Sequence, residues 1–258
     1  MNRYLQIIYL MVCLLFYEKV TAQINPDSVI YRKSWQAGAR LRSDGFGFGA
    51  EITRSRKYKS SILFQVQFAY FWHLKQVRQS SRYGSGGFFG GDGYKPFVYG
   101  KQNTLFTIYG GVGQKLLVAE KGKKHGVQIF FKYAGGLTLA LLKPYYLRVI
   151  PKPLTLATEE DLVDVTYDPN EDNSFLDWER IVGASGFLRG WKIKVIPGLH
   201  TELGLEFDWA KNESFVKALE IGLAADFYYK KVPVMVQNNS FFFPSAYVGI
   251  MLGKRKQR

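Results

Sequence analysis

The chain has one cysteine, three histidines and no apolar run long enough to make a membrane-spanning helix. Each shortage excludes something. Cys13 lies in the first apolar stretch, so the rest of the chain can form neither a disulfide nor a cysteine-ligated zinc site. His73, His125 and His200 fall on separate segments, which argues against a histidine-based metal site. No serine sits in a G-x-S-x-G nucleophile motif; "GASGF" around Ser185 has the wrong spacing. A helical span needs about 20 apolar residues, and the longest run, Tyr4 to Tyr17, is shorter.

That run follows a basic start at Arg3 and ends at Val20-Thr21-Ala22 before Gln23. Small or β-branched residues at those last positions suit a cleaved export signal. The expected division is a leader over 1–22 and a single domain over 23–258. Val12 is not the small residue that lipid attachment at Cys13 would require.

What the chain has in quantity is aromatics, 16% of residues, and glycine, at 26 positions. That combination with ordinary apolar content points to β structure. The stretch "LHTELGLEFDWA", Leu199 to Ala210, shows how. Alternate residues from Leu199 are Leu, Thr, Leu, Leu, Phe and Trp; those from His200 are His, Glu, Gly, Glu, Asp and Ala. Period-two alternation of this length marks a strand with two unlike faces. The same test gives eight segments, at about 34–42, 45–54, 61–75, 104–118, 127–142, 199–210, 215–229 and 241–253.

An exported all-β domain can turn its apolar face inward, as a soluble lipocalin-like binder does, or outward against lipid. Gly38, Gly49, Gly136, Gly204, Gly222 and Gly249 fall mostly on the polar face. Small residues belong inside an eight-stranded barrel, whose interior is only wide enough to be filled by side chains. The polar face also carries both signs of charge: Arg40, Arg42, Lys75, Lys115 and Lys132 against Glu51, Glu202, Glu206, Asp208, Glu220 and Asp226. Enclosed together, these neutralise one another; isolated, they would be costly to bury. The expected fold is therefore all-β: an eight-stranded antiparallel transmembrane β-barrel with long outer loops. The soluble binder is the alternative.

An even strand count returns the chain to the side where it started. The connections at 43–45, 76–103, 143–198 and 230–240 then face outward, and 55–60, 119–126 and 211–214 face the periplasm. Charge divides between the ends. "RSRKYK", "EKGKKH" and "GKRKQR" are periplasmic, whereas Thr158 to Arg180 puts nine carboxylates in the largest outer loop. A net charge of +14 often signals nucleic acid. An exported barrel instead brings its basic rim against outer-membrane lipid head groups or a periplasmic protein.

The stretches "VIPGLHTELGLEFDW", "ALEIGLAADFYYKKVPVM" and "FFFPSAYVGIMLGKRKQR" resemble small outer-membrane β-barrel proteins of the Bacteroidota type. The resemblance is clearest over 195–258 and weaker from Trp35 onward. It implies an outer-membrane location and this fold. Function in that group is largely unassigned, and some of its barrels are parts of secretion or assembly machines. No catalytic residue is carried over.

For chemistry, His200 and Glu202 are the candidates. They share a face about 7 Å apart along a strand, near the outer end, where barrel enzymes that act on lipids or proteins place such groups. Against this stands a histidine satisfied within the polar core. The acidic run lacks the spacing of an EF-hand calcium loop, and the Gly-rich "RYGSGGFFGGDGY" follows no strand-to-helix pattern that would cradle phosphate. Tyr145 to Leu154, with two prolines, is expected to leave the barrel as extended chain over its mouth. No cofactor and no metal site is expected. The reading favoured is a structural or interaction subunit of an outer-membrane complex. A lipid-active enzyme and a small-solute pore are the rivals.

Overall fold

The computed structural model describes residues 33–57, 59–72, 76–80, 95–121, 126–151, 162–169, 173–187, 189–190, 192–210, 214–237 and 239–256. The expected leader, His73, Lys75, His125, the Gly-rich stretch 82–94 and parts of the acidic run lie outside the described residues.

The first strands are β1 (Lys33–Arg42), β2 (Gly45–Lys57), β3 (Ser60–Phe71), β4 (Arg78–Gln79) and β5 (Phe97–Val98). Then come β6 (Asn103–Ala119), β7 (Gln128–Pro144), β8 (Leu147–Val149), β9 (Val163–Val165) and β10 (Ile181–Ala184). The last are β11 (Lys194–Asp208), β12 (Phe215–Val232) and β13 (Ser240–Lys256). Eight of them close into an antiparallel ring in the order β1-β13-β12-β11-β7-β6-β3-β2. Closure removes the unpaired edges that an open sheet would expose.

The two faces of the wall follow the alternation. Leu41, Phe48, Val66, Leu137, Leu203 and Leu223 point out and stay exposed, while Arg40, Glu51, Gln65, Thr138, Glu202 and Glu220 point in and are buried. Glycine makes the interior fit at one instructive place. Gly204 and Gly222 are cross-strand partners, and a Cβ on either would lie 2.6 or 2.7 Å from the Tyr247 hydroxyl. Two absent side chains thus make room for one phenol in the core.

Seven of the expected strands begin or end within a few residues of those observed; β11 does not begin where expected. It starts at Lys194, five residues before Leu199. Pro197 argues against a strand there, because it cannot donate to a ladder. The geometry explains its tolerance: Lys194 to Pro197 pair only with β7, and pairing with β12 begins at Gly198. Pro244 obeys the same rule, paired with Ala225 of β12 but beyond the last β1 partner, Tyr247.

The ends of the ring differ. At one, short connections join β2 to β3, β6 to β7 and β11 to β12. At the other, the two-residue Ser43-Asp44 turn and the 233–239 link accompany two long excursions. The described parts of those excursions fold. β10, β8 and β9 form a three-stranded sheet, and β4 pairs with β5. Tyr145 to Leu154 was expected as extended chain; its Leu147–Val149 portion is the central strand of that sheet.

Candidate functional site: a charged core beneath an apolar plug

Three layers fill the structure from the middle of the barrel to the long-loop end. The first is ionic. Arg40, from β1, reaches carboxylates on three other strands: Glu51 at 2.6 Å, Glu220 at 2.7 Å and Glu202 at 3.1 Å. Lys132, from β7, contacts the same three, at 2.6 Å to Glu51, 2.7 Å to Glu220 and 3.6 Å to Glu202. Lys115 donates to Glu206 at 2.5 Å, and Gln36 bridges Glu206 and Glu51 at 3.1 and 2.8 Å. Strict alternation puts all of these on inward faces. Register then brings them to one level, since Arg40 lies opposite Gly47 and Gly249, whose missing side chains leave it room to cross the lumen.

Towards the long-loop end the network continues through Arg42, which holds Asp44 and Asp226, each at 2.9 Å. Asp226 also meets His200 Nδ1 at 2.5 Å, and the imidazole lies against the Tyr109 ring with centroids 4.0 Å apart. Asp208 is separate, at the short-turn end, where Arg255 pairs with it. So the structure gathers Arg40, Glu51, Lys115, Lys132, Glu202, Glu206 and Glu220 into one cluster, links Arg42, Asp226 and His200 to its edge, and leaves Asp208 outside it. Lys75 lies outside the described residues.

His200 and Glu202 are close, 3.5 Å from Nε2 to the carboxylate. Both are almost wholly buried. Above them, the second layer is an apolar plug of Phe71, Leu105, Leu142, Ile196, Tyr228 and Phe243 with their neighbours. Ser185 belongs to the loops, its amide bonded to the Tyr146 carbonyl. No described contact joins it to His200. His200 is held through Nδ1 by Asp226 and Glu202 by Arg40 and Gln67, while His200 Nε2 and Glu202 Oε1 are buried without a hydrogen bond.

A metal reading also meets an occupied site. Oxygens of Glu51, Glu206 and Glu220 lie within 4.8 Å of one another. Arg40, Lys132, Lys115 and Gln36 already donate to them, so the trio's positive partner is the protein itself.

The third layer is a cap with a core of its own, Phe97, Leu147, Val149, Phe175 and Ile181, bordered by Tyr145, Tyr167 and Trp178. Arg180 pins it by donating to the Ile150 carbonyl at 2.9 Å. Where cap meets barrel, Lys101 is buried and donates to Gln76 Oε1 at 3.5 Å, over the Tyr145 ring at 5.3 Å. Burial, helped by the positive charge of Arg78, pushes its ammonium down to about 8.

Sequence reasoning missed the neutral members of the core: Gln36, Gln65, Gln67, Tyr109 and Tyr247. Gln67 donates to Glu202 at 2.9 Å, Gln65 donates to the Tyr109 hydroxyl at 2.8 Å, and Arg40 lies over the Tyr247 ring. The signal was present, since Gln36, Gln65, Gln67 and Tyr109 sit on the same strand parity as the charges and Tyr247 on that of Gly249.

No family model and no curated protein matches the chain. Among solved structures it is similar to Ail, the attachment invasion locus protein of Yersinia pestis, in complex with the heparin analogue sucrose octasulfate: 7% identity, TM-score 0.40, covering 87% of this chain and 97% of that one. It is similar to Neisserial surface protein A at 8% identity and TM-score 0.36, covering 88% and 95%. It is also similar to the N-terminal β-barrel domain of Pseudomonas aeruginosa OprF, at 6% identity and TM-score 0.35, covering 88% and 98%. Similarity at this level bears on neither function nor partner.

Proposed function

We propose that this chain is an outer-membrane barrel, exported with loss of residues 1–22, that works as a structural or interaction subunit of an outer-membrane complex such as a secretion or assembly machine. The observation that carries the reading is the filled lumen. Side chains of Arg40, Lys132, Glu51, Glu202 and Glu220 meet across the barrel at hydrogen-bonding distance, and an apolar plug closes the same end that bears the cap.

The outward belt supports the membrane placement. Leu41, Leu137 and Leu223 are each about two-thirds exposed, and a continuous apolar surface of this kind asks to be covered. Lipid covers it without a partner protein. The long-loop end then faces outward and the short turns face the periplasm. A plugged barrel conducts nothing, and a buried His200 meets no lipid, so neither the pore nor the lipid-active enzyme gains support. What remains available for function is surface, and the folded cap is a preorganised one.

The test is a mild-detergent pull-down of a tagged, natively expressed copy from outer membranes, followed by mass spectrometry. Stoichiometric companions are expected, lost when the cap is disrupted. A barrel that always emerges alone would overturn the subunit reading.

A further inference from the structure

Basic turns occur in both halves of the short-turn end, but cations on the outward face of the wall there gather on one side. On the outward face, Lys33 lies directly opposite Arg54 on one side and Lys256 on the other. One step deeper into the wall Trp35 lies opposite Lys254, which lies opposite Phe215. A step deeper again, Lys217 lies opposite Leu252. Five cationic side chains thus share the outer wall of β12, β13, β1 and β2 within three cross-strand rows. At the same end, the outward positions of the other half are Ile62 and Phe64 on β3, Leu116 and Val118 on β6, Ile129 on β7, and Phe207 on β11. None is charged.

Like charges placed directly opposite on neighbouring strands destabilise the pairing. The charged core shows that this fold supplies carboxylates where cations are to be neutralised internally. On this seam, among the described residues, none of the five cations has a carboxylate within ion-pairing distance. Trp35 and Phe215 flank them, and the Lys254 ammonium sits 5.5 Å from the Phe215 ring centre. Aromatics beside lysines at the edge of an apolar belt mark the level of lipid head groups.

We propose that the β12–β13–β1–β2 seam is a binding site for a phospholipid that carries two phosphates, held from the periplasmic leaflet. The inference rests on the membrane placement proposed above. Strand spacing sets the two cation groups apart: Lys33, Arg54 and Lys256 form one, and Lys254 with Lys217 the other, roughly 10 Å away between strand positions. Flexible lysine stems shorten that distance to the span of two phosphates joined by a glycerol. Arg54 offers the planar fork suited to phosphate oxygens. The acyl chains lie along the exposed Leu252, Ile250 and Ile52 below. A single-phosphate lipid leaves one group unmatched, and a zwitterionic one leaves both.

The experiment is native mass spectrometry of the full barrel in detergent micelles at low salt. The added lipids are a tetra-acyl glycerol-bridged diphosphate lipid, a single-phosphate phosphatidylglycerol and phosphatidylcholine. One diphosphate lipid per barrel is expected, retained at least about tenfold better than either other lipid and released as salt rises. The triple variant Lys33→Gln, Arg54→Gln, Lys256→Gln should lose that retention by about tenfold or more. Removing three charges at the opposite end, as Lys194→Gln, Lys230→Gln, Lys231→Gln, should change it less than about twofold. Folding of each variant is checked by heat-modifiable gel mobility, and a triple that fails to fold is replaced by Lys33→Gln alone. Equal losses in both triples, or no preference for the diphosphate lipid, would overturn the site. So would an acidic protein held by these same residues in place of lipid. A barrel that stays monodisperse without detergent would instead overturn the membrane placement itself.

Discussion

The barrel and its cap are built inside out relative to each other. In the barrel, Arg40, Lys132 and Glu220 are buried while Leu41 and Leu223 face outward. In the cap, Phe97, Leu147 and Ile181 are buried, and Arg78, Asp168 and Glu179 lie on the surface. Both are β-sheets with sound backbone pairing, so hydrogen bonding does not distinguish them. The difference lies in what each must hide. A cap in water gains by removing apolar surface. A wall in lipid gains nothing from hiding leucine, and its polar side chains must find partners inside the ring.

The sharpest way to break that contrast is to remove the hub of the buried charge. Arg40→Met keeps the volume but leaves Glu51, Glu202 and Glu220 with Lys132 as their chief cation. Breaking a buried ionic cluster by deleting one partner costs about 3–5 kcal/mol. The urea midpoint of the barrel refolded into lipid vesicles should fall accordingly, with the cap lost alongside it. A barrel unchanged by Arg40→Met would mean that the backbone ladder alone sustains the fold.

The complementary change strikes the cap. Leu147→Ala removes a fully buried side chain from its apolar core, at a cost of about 2–4 kcal/mol. The loss should be local: protease cleavage within residues 145–193 speeds up, while heat-modifiable gel mobility of the barrel stays put. If the barrel melted at the same lowered temperature, cap and wall would be one cooperative unit and the comparison would need redrawing.

A matched pair of surface substitutions tests the two solvents directly. Leu223 on the wall and Val163 in the cap are both largely exposed, at 64% and 49%. Leu223→Arg should destabilise the barrel in vesicles by about 2 kcal/mol or more, the depth-dependent cost of a cation against hydrocarbon. Val163→Arg should change cap stability by no more than about 0.5 kcal/mol. Indistinguishable effects would show that the wall faces water, returning the fold to the soluble binder.

The same contrast explains which parts were legible from residues alone. The wall was, because alternation over twelve or more residues leaves little choice of face, and each described core charge from Arg40 to Asp226 inherits its side from that parity. The start of β11 was hidden by Pro197, whose acceptability depends on pairing with β12 stopping at Gly198. The cap was not legible. Its strands are two to four residues long, and Leu147 pairs with Val165 and Ala184 across long intervals, so no local period announces them. The core's glutamines and tyrosines lay between: their side was readable, yet their part in the network depends on distances such as 2.8 Å from Gln65 to Tyr109.

The smallest expected effect sits where the two regions meet. Lys101 is a barrel-type residue, buried and cationic, placed under a cap-type lid without a carboxylate bonded to it among the described residues. Burial first, and the nearby Arg78 second, bring its ammonium down to about 8, against about 10.4 for a free lysine. Between those values the unfolded cap binds more protons than the folded one, so stability should rise with pH across that window. Below about pH 8 the penalty is fully present. Lys101→Met removes the charge while keeping most of the packing over Tyr145. It should therefore stabilise the cap at pH 7 by about 1 kcal/mol and flatten the pH dependence, both read from cleavage rates of the 145–193 segment at pH 7, 8 and 9.5. Destabilisation at every pH would show instead that the bond to Gln76 and the contact with Tyr145 outweigh desolvation. Lys101 would then be a clamp between the two regions, and no misfit.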